Sequence, residues 1–316
     1  MNILITGGSG FTGANLIGLN WERNNITVIT RKEKAKIHSS FYALGLEYAK
    51  NINVVQGNIC NEDLLVQTLV DYQIDRVYHL CGQTIVSRAT ESPRSFYETN
   101  VMGTLSLLEA ERKLTKKIPT LVVCTDKVYG DTESNVYEES MAYNPKSIYD
   151  SSKTMEDILA LTYSRIYNLP IAVSRAGNIY GPADFNPRII PNTIRNCLSG
   201  INPDVYIGIH NKRDYVHVFD VCNAYETILD NIKYTQGQAF NVGTCVGKEP
   251  EEVVTEILKY FPERKVMYVE PKNYMLKEIG DQVSSPAKLY GFTGWKPKIN
   301  FEDGIKQTVE WYKQNV

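Results

Sequence analysis

Histidine is scarce and cysteine is scattered. The 316-residue chain has four histidines and six cysteines (Cys60, Cys81, Cys124, Cys197, Cys222, Cys245), with no Cys-x-x-Cys pair. That distribution supports neither a zinc site nor a disulfide framework. Cys81 and Cys124, at or near the ends of apolar strands, read as small packing residues; Cys124 also adjoins the catalytic candidates below and keeps a second reading as a functional thiol. A surplus of one charge is also missing: the net charge is -2 and no run of five like charges occurs. Nucleic acid and membrane surfaces therefore have no electrostatic basis for binding. No apolar stretch approaches the roughly eighteen residues of a membrane span, and no cationic, apolar leader precedes the first strand pattern. The expectation is a soluble, cytoplasmic protein with neither a nucleic-acid nor a membrane partner. No internal repeat or low-complexity tract is present.

What the chain does have is regular alternation. Apolar, β-rich runs at Ile3–Ile5, Ile26–Ile29, Ile52–Val55, Val77–Leu80, Leu121–Cys124 and Ile171–Ser174 are separated by helical stretches such as Glu62–Tyr72 and Ser95–Lys113. This pattern predicts an α/β fold with a parallel sheet wound on both faces, whose ligands bind at the carboxyl ends of the strands. Three segments end there: Gly7–Gly13, His79–Gln83 and Thr125–Lys127. The length exceeds what one core usually carries, so a large unit and a smaller one are expected. After Gly181-Pro182 the texture turns loop-rich, with Pro187, Pro191 and Pro203. We place a first domain at 1–180, with segments near 215–245 returning to it, and a substrate-capping lobe over most of 181–316.

The first strand runs straight into Gly7-x-x-Gly10-x-x-Gly13 and then a helical pattern. Such a turn lets the backbone approach a pyrophosphate, whose charge is held by unpaired amides at a helix N-terminus. The required context is present, because a second strand, Ile26–Thr30, follows about twenty residues later. That strand leads into Arg31-Lys32, with Lys34 and Lys36 beyond, rather than to the acid that bonds the ribose 2′-hydroxyl of NAD. Cations there favour a 2′-phosphate, so NADP is expected over NAD, although Arg31 also suits stacking on adenine. After the third strand, Asn58 in Gly57-Asn58-Ile59 offers an amide to an adenine edge.

Tyr149 and Lys153 open the helical segment 148–161, so they share a face one turn apart. An ammonium ~4 Å from a phenolate, at an effective dielectric near 20, is worth ~4 kcal/mol and could lower a tyrosine pKa of ~10 by roughly three units. Such a phenol can take a proton from an alcohol while hydride leaves the same carbon. The alternative is a surface lysine and a half-buried tyrosine on a helix whose apolar stripe, Met155, Ile158, Leu159, Thr162 and Ile166, faces a core.

Several motifs together carry a family resemblance. The glycine turn, His79-Leu80, Thr99-Asn100-Val101-x-Gly103-Thr104, Tyr149-x-x-x-Lys153, Arg175-x-x-Asn178-x-Tyr180-Gly181-Pro182, Arg213 to Asp220, Phe240-Asn241-Val242-Gly243 and Gly294-Trp295-x-Pro297 span nearly the whole chain. The chain resembles the extended short-chain dehydrogenase/reductases that act on nucleotide sugars. That likeness implies a Rossmann domain, a tightly held nicotinamide cofactor, and a nucleotide-diphosphate sugar beneath a C-terminal α/β lobe. The tripeptide Thr125-Asp126-Lys127 is most similar to that of CDP-glucose 4,6-dehydratases, where lysine replaces a glutamate, and the basic Arg31-Lys32 is similar to GDP-mannose 4,6-dehydratases.

By this resemblance the reaction is a 4,6-dehydration through a 4-keto sugar. Tyr149 and Lys153 would work at O4 with Thr125, Asp126 would be the acid at O6, and Lys127 would stand at the C5 base position, a role that requires it to be neutral. Cofactor contacts would fall to Gly7, Gly10, Phe11, Thr12, Gly13, Arg31, Asn58, Ile59, Leu80, Gln83, Asn100, Tyr149 and Lys153. Gln83, Asn178, Arg188 and Arg213 would hold the substrate. His217 and Asp220 would orient the turn between lobes, and Trp295 would pack. Relatives also pair through two helices per subunit, here 95–113 and 151–167, which implies a homodimer. A 4-epimerase, a C4 dehydrogenase and a non-catalytic NADP sensor are the rival readings; retention of Tyr149 and Lys153 argues against the sensor.

Overall fold

The structure is a computed structural model and describes residues 1–31, 39–46, 51–132, 134, 136–271 and 279–316. Lys32, Lys34 and Lys36 lie outside the described residues.

The main sheet is built from β1 (Asn2–Thr6), β2 (Asn25–Thr30), β3 (Ile52–Gln56), β4 (Arg76–His79), β5 (Thr120–Thr125) and β6 (Ile171–Ala176), joined by a later strand, Ala239–Val242. Every pairing among the seven strands is parallel. From one edge the order is Ala239–Val242, β6, β5, β4, β1, β2, β3. The order reverses between β1 and β4, and strand ends diverge there to leave a crevice. β1, β5 and β6 are buried along nearly their whole length, as expected of strands covered on both faces. One apolar core lies between the sheet and the helices Phe11–Asn20 and Val218–Asp230. Others form on the opposite face, beneath Glu62–Asp71 with Gly103–Lys113 and beneath Ile148–Tyr167. This is the doubly wound, Rossmann-like sheet that the alternation predicts.

A smaller layer covers the carboxyl ends. It contains β7 (Asn178–Tyr180), β8 (Asp204–Tyr206), β9 (Arg213–His217), then, after β10 (the main-sheet strand Ala239–Val242), β11 (Gly247–Lys248) and β12 (Met267–Val269). Its own core gathers Ile190, Ile194, Val253, Ile257, Ile305 and Val309 from three helices. His217 caps the helix Val218–Asp230 by accepting from the Phe219 amide. Asp220 accepts from the amides of Lys298 and Ile299, and Trp295 is buried in the first core, so all three serve the framework.

Two expectations change. The predicted helix 95–113 is interrupted by a π-helical turn at Tyr97–Met102, which carries Asn100 inward. Its carboxamide then donates to the Gln83 carbonyl and to Ser152 Oγ, and accepts from the Gln83 amide. The expected apolar stripe of Ile148–Tyr167 is split: Leu159 packs against the core, but Met155 and Ile158 are each 45 % exposed and Ile166 is 66 % exposed. The buried face holds Tyr149, Ser152, Lys153, Glu156, Asp157 and Ser164 instead. No helix among the described residues is long and apolar enough to cross a membrane.

Candidate active site

The site begins with backbone. Gly7 has φ +70°, and a Cβ there would stand 2.7 Å from the Leu80 carbonyl oxygen and 2.8 Å from the Cys81 nitrogen, across the crevice between β1 and β4. At Gly13 a Cβ would come within 2.5 Å of the Gly7 carbonyl oxygen. Only glycine permits this packing of turn, helix and strand. Gly10 is the N-cap of the helix Phe11–Asn20 and offers no side chain to its first-turn amides, leaving that end suited to an anion. Buried His79 fixes the adjoining wall, with Nδ1 bonded to Thr6 Oγ1 at 2.8 Å and Nε2 to Thr104 Oγ1 at 2.9 Å. Burial and the Lys153 charge push its pKa down to about 3, so the ring is a neutral strut.

Above β5 the chain makes a single 3-10 turn, Asp126–Tyr129, with Thr125 Oγ1 accepting from the Lys127 amide as its cap. Thr125 also donates to Asp126 Oδ1 at 3.2 Å. Asp126 is buried, and burial raises its pKa to about 6, with Lys127 opposing and the Asp214 carboxylate adding to the rise. A carboxyl that keeps its proton near neutrality can act as an acid.

This tripeptide is braced by chain far away in sequence. Residues 282–285 run between Tyr137 and β9: the Tyr137 amide donates to Val283, the Ser285 amide to Tyr137, and the Asp214 amide to Gln282. Ser284 Oγ lies 3.4 Å from Asp126 Oδ2, and Lys127 Nζ donates to Gln282 Oε1 at 3.2 Å. Neither Gln282 nor Ser284 was foreseeable from local pattern.

The helix Ile148–Tyr167 delivers the other half. Ser147 caps it in a reciprocal box with Asp150, fixing the first turn that carries Tyr149. Lys153 Nζ donates to the Val123 carbonyl at 2.8 Å and to Glu156 Oε2 at 2.5 Å. The expected acidification of Tyr149 is reversed in this structure. Burial pushes the phenol up to about 12, outweighing the lowering by the Lys153 ammonium, by Arg188 and by a hydrogen bond with Thr125. Glu156 was missed, although its position three residues after Lys153 places it on the same face.

Other candidates spread around this centre. Ile59 is buried against Gly103, and Asn58, at the surface, accepts from the Cys60 amide. Arg31 is exposed at the end of β2. Gln83 lies in the crevice, but its side-chain amide donates to the Ser95 carbonyl and Thr99 Oγ1. Asn178 opens β7, Arg188 is exposed at the N-cap of Ile189–Leu198, and Arg213 begins β9, where its guanidinium donates to the Gly280 and Ile279 carbonyls. Cys124 is buried and donates to the Lys153 carbonyl, with its thiol pushed well above the usual range by burial; it is a packing residue and not a nucleophile. Cys81 is only partly buried.

The model of the family described as GDP-mannose 4,6-dehydratase matches residues 4–308. The chain belongs to that family. Two relatives show the range of activities around the GDP-mannose 4,6-dehydratase family. A dTDP-glucose 4,6-dehydratase of Xanthomonas campestris is 32 % identical over 99 % of this chain and 93 % of its own. A trifunctional UDP-glucose 4,6-dehydratase/3,5-epimerase/reductase of Arabidopsis thaliana is 33 % identical over 99 % of this chain, which spans only 47 % of that longer protein. The crystal structure of dTDP-glucose 4,6-dehydratase from Bacillus anthracis in complex with NAD superposes with a TM-score of 0.86 at 30 % identity, covering 100 % of this chain and 97 % of that one.

Proposed function

We propose that the chain is a nucleotide-diphosphate-sugar 4,6-dehydratase, a lyase that turns a hexose with free 4- and 6-hydroxyls into a 4-keto-6-deoxy sugar. The observation that carries this reading is Asp126, a buried carboxyl able to hold a proton near neutrality, on the turn that also bears Thr125 and Lys127 and across from Tyr149 on the next helix. An epimerase or C4 dehydrogenase needs the tyrosine but has no leaving hydroxyl to protonate.

The crevice residues fit a dinucleotide: the close approach at Gly7 and Gly13 leaves no room for a side chain, and the uncapped amides after Gly10 suit a pyrophosphate. Gly7, Gly10, Phe11, Thr12, Gly13, Leu80 and Asn100 would hold the cofactor, with Asn58, Ile59 and Arg31 toward the adenosine. A nicotinamide cofactor, when bound, supplies a hydride acceptor during oxidation at C4 and the donor that completes reduction at C6. We take that cofactor as NAD rather than the NADP first expected, since the Bacillus anthracis relative is in complex with NAD.

Tyr149 takes the proton of the 4-hydroxyl while Thr125 bonds O4. The resulting ketone acidifies C5–H; Lys127, once it has given up its own charge, stands to remove that proton, Asp126 protonates the departing 6-hydroxyl, and the proton held by Lys127 returns to C5 when C6 is reduced. Asn178, Arg188 and Arg213 bind the diphosphate, for which a guanidinium gives paired bonds. Most of 181–316, apart from the stretch near 215–245, would form the sugar-binding lobe. The exposed Met102, Met155, Ile158 and Ile166 are the face through which two copies pair as a homodimer.

Incubation with dTDP-, UDP-, CDP- and GDP-hexoses, followed by mass, tests the reading: loss of one water from one of them is expected. The matching variant is Asp126→Asn, which should lower dehydration ~100-fold or more while leaving C4 oxidation visible as reduced nicotinamide. Interconversion of epimers with no water lost would replace the dehydratase by the epimerase.

A further inference from the structure

Lys153 does not stand alone beside Tyr149. Residues 149, 153 and 156 fall on one helical face, and the third is a glutamate with no solvent exposure. Glu156 Oε2 accepts from Lys153 Nζ at 2.5 Å, while its Oε1 is buried without a hydrogen-bond partner. The ammonium is also held by the Val123 carbonyl at 2.8 Å. A carboxylate buried this deeply is costly unless it is paired, and among the described residues the cation paired with it is Lys153. The neighbouring Asp157 is engaged elsewhere, since both of its oxygens are bonded to the Arg175 guanidinium.

We propose that Glu156 is a positioning residue for the Tyr149–Lys153 pair: a counter-ion that fixes where the Lys153 ammonium sits and so sets how readily Tyr149 gives up its proton. With Glu156 ionised, the lysine charge is largely compensated and the phenol holds its proton. When the carboxylate is neutralised, or the ammonium is drawn forward to other acceptors, the full positive charge acts on the phenol and prepares it as a base. The other titratable and charged groups facing this trio are His79 and Cys81 beyond β4, Cys124 on β5, Asp157 on the same helix, Arg188, and Tyr225 on Val218–Asp230. His79 is neutral, the thiols and Tyr225 are held protonated by burial, and Asp157 is paired with Arg175, which leaves Glu156 as the group able to change the charge around Lys153. Burial raises the proton affinity of Glu156 and Lys153 opposes that rise, so the switch lies closer to neutrality than an exposed glutamate would.

The proposal rests on Tyr149 being the base of the dehydratase reading, but its test does not need turnover. Full-length protein carrying tyrosine labelled with carbon-13 at Cζ is titrated by NMR, the Tyr149 signal being the one lost in Tyr149→Phe. Glu156→Gln should lower the Tyr149 midpoint by about one pH unit, and Glu156→Met, a neutral side chain of similar length, should do the same if the glutamine variant folds poorly. Glu111→Gln, a change at another buried carboxyl on a different helix, should leave it in place. In the active enzyme the acid limb of the kcat/KM profile should move down by a similar amount. An unchanged or raised Tyr149 midpoint in both Glu156 variants, including a signal that stays protonated as far as the wild-type one does, overturns the proposal. Failure to lose water from any nucleotide sugar would remove the dehydratase reading and leave this titration standing.

Discussion

The two faces of the helix Ile148–Tyr167 are inverted relative to an ordinary surface helix. Its inner face is rich in hydroxyl, amine and carboxyl groups, each placed by a specific bond; its outer face presents Met155, Ile158 and Ile166. A helix that only covered a sheet would bury the methionine and isoleucines. Here burial serves chemistry: the sheet-facing side is held by polar bonds to Val123, Asn100, Arg175 and Tyr143, and the apolar side is left for another surface. What distinguishes the faces is therefore function. The inner one gathers groups that can exchange protons, and the outer one is apolar and exposed.

The sharpest way to break that comparison is at its inner end. Tyr149→Phe removes one oxygen from a buried site and should lower turnover ~1,000-fold or more, with a thermal midpoint near that of the wild type. Kinetics with the sugar that loses water, alongside a melting curve, checks both halves; retained activity would strip the inner face of its chemical role. On the outer face, Met155→Lys with Ile158→Lys should turn a dimer into a monomer in sedimentation velocity while changing the stability of each folded chain by about 0.5 kcal/mol or less, because both sites are already open to solvent. A dimer that survives would assign the pairing surface elsewhere.

The smallest effect concerns a buried acid without a cation against it. Glu111, on the neighbouring Gly103–Lys113, accepts from Thr120 Oγ1, has its other oxygen unpartnered, and is raised by burial to about 8. Its folded pKa exceeds the unfolded value of ~4.3, so its contribution is complete below that value and is lost as pH rises through about 8. Wild-type protein should lose on the order of a few kcal/mol more stability than Glu111→Gln between pH 5 and 9, measured by urea unfolding at each pH. Equal slopes would show the carboxyl to be ionised in the fold. Glu156 differs because it has Lys153 beside it, and the pair separates a charge that matters to the site from one that only burdens the core.

Much of this was legible beforehand, for definable reasons. Runs of β-branched residues mark β1 to β6 because strands covered on both faces must be apolar throughout, and Gly7, Gly10 and Gly13 mark the crevice because only glycine fits there. Tyr149 and Lys153 were legible because helical spacing fixes their shared face. The stripe of Met155, Ile158 and Ile166 misled: apolar periodicity reports which residues share a side but not whether that side meets the sheet or a second molecule. The acidified phenol failed for a related reason. Pairwise reasoning set one cation against one phenol and left out the burial that holds the phenol protonated. Ser284 and Gln282 escaped because they reach Asp126 and Lys127 across more than 150 residues of chain. The cations after β2 pointed to a 2′-phosphate, whereas the Bacillus anthracis relative is in complex with NAD.

The strip 282–285, stitched between Tyr137 and Asp214 by backbone bonds, makes the surroundings of the turn at Asp126–Tyr129 a product of segments far apart in the polypeptide. Ribosomal synthesis must therefore pass residue 285 before Asp126 and Lys127 acquire their neighbours, and pass Trp295 before the core beneath the glycine turn is closed.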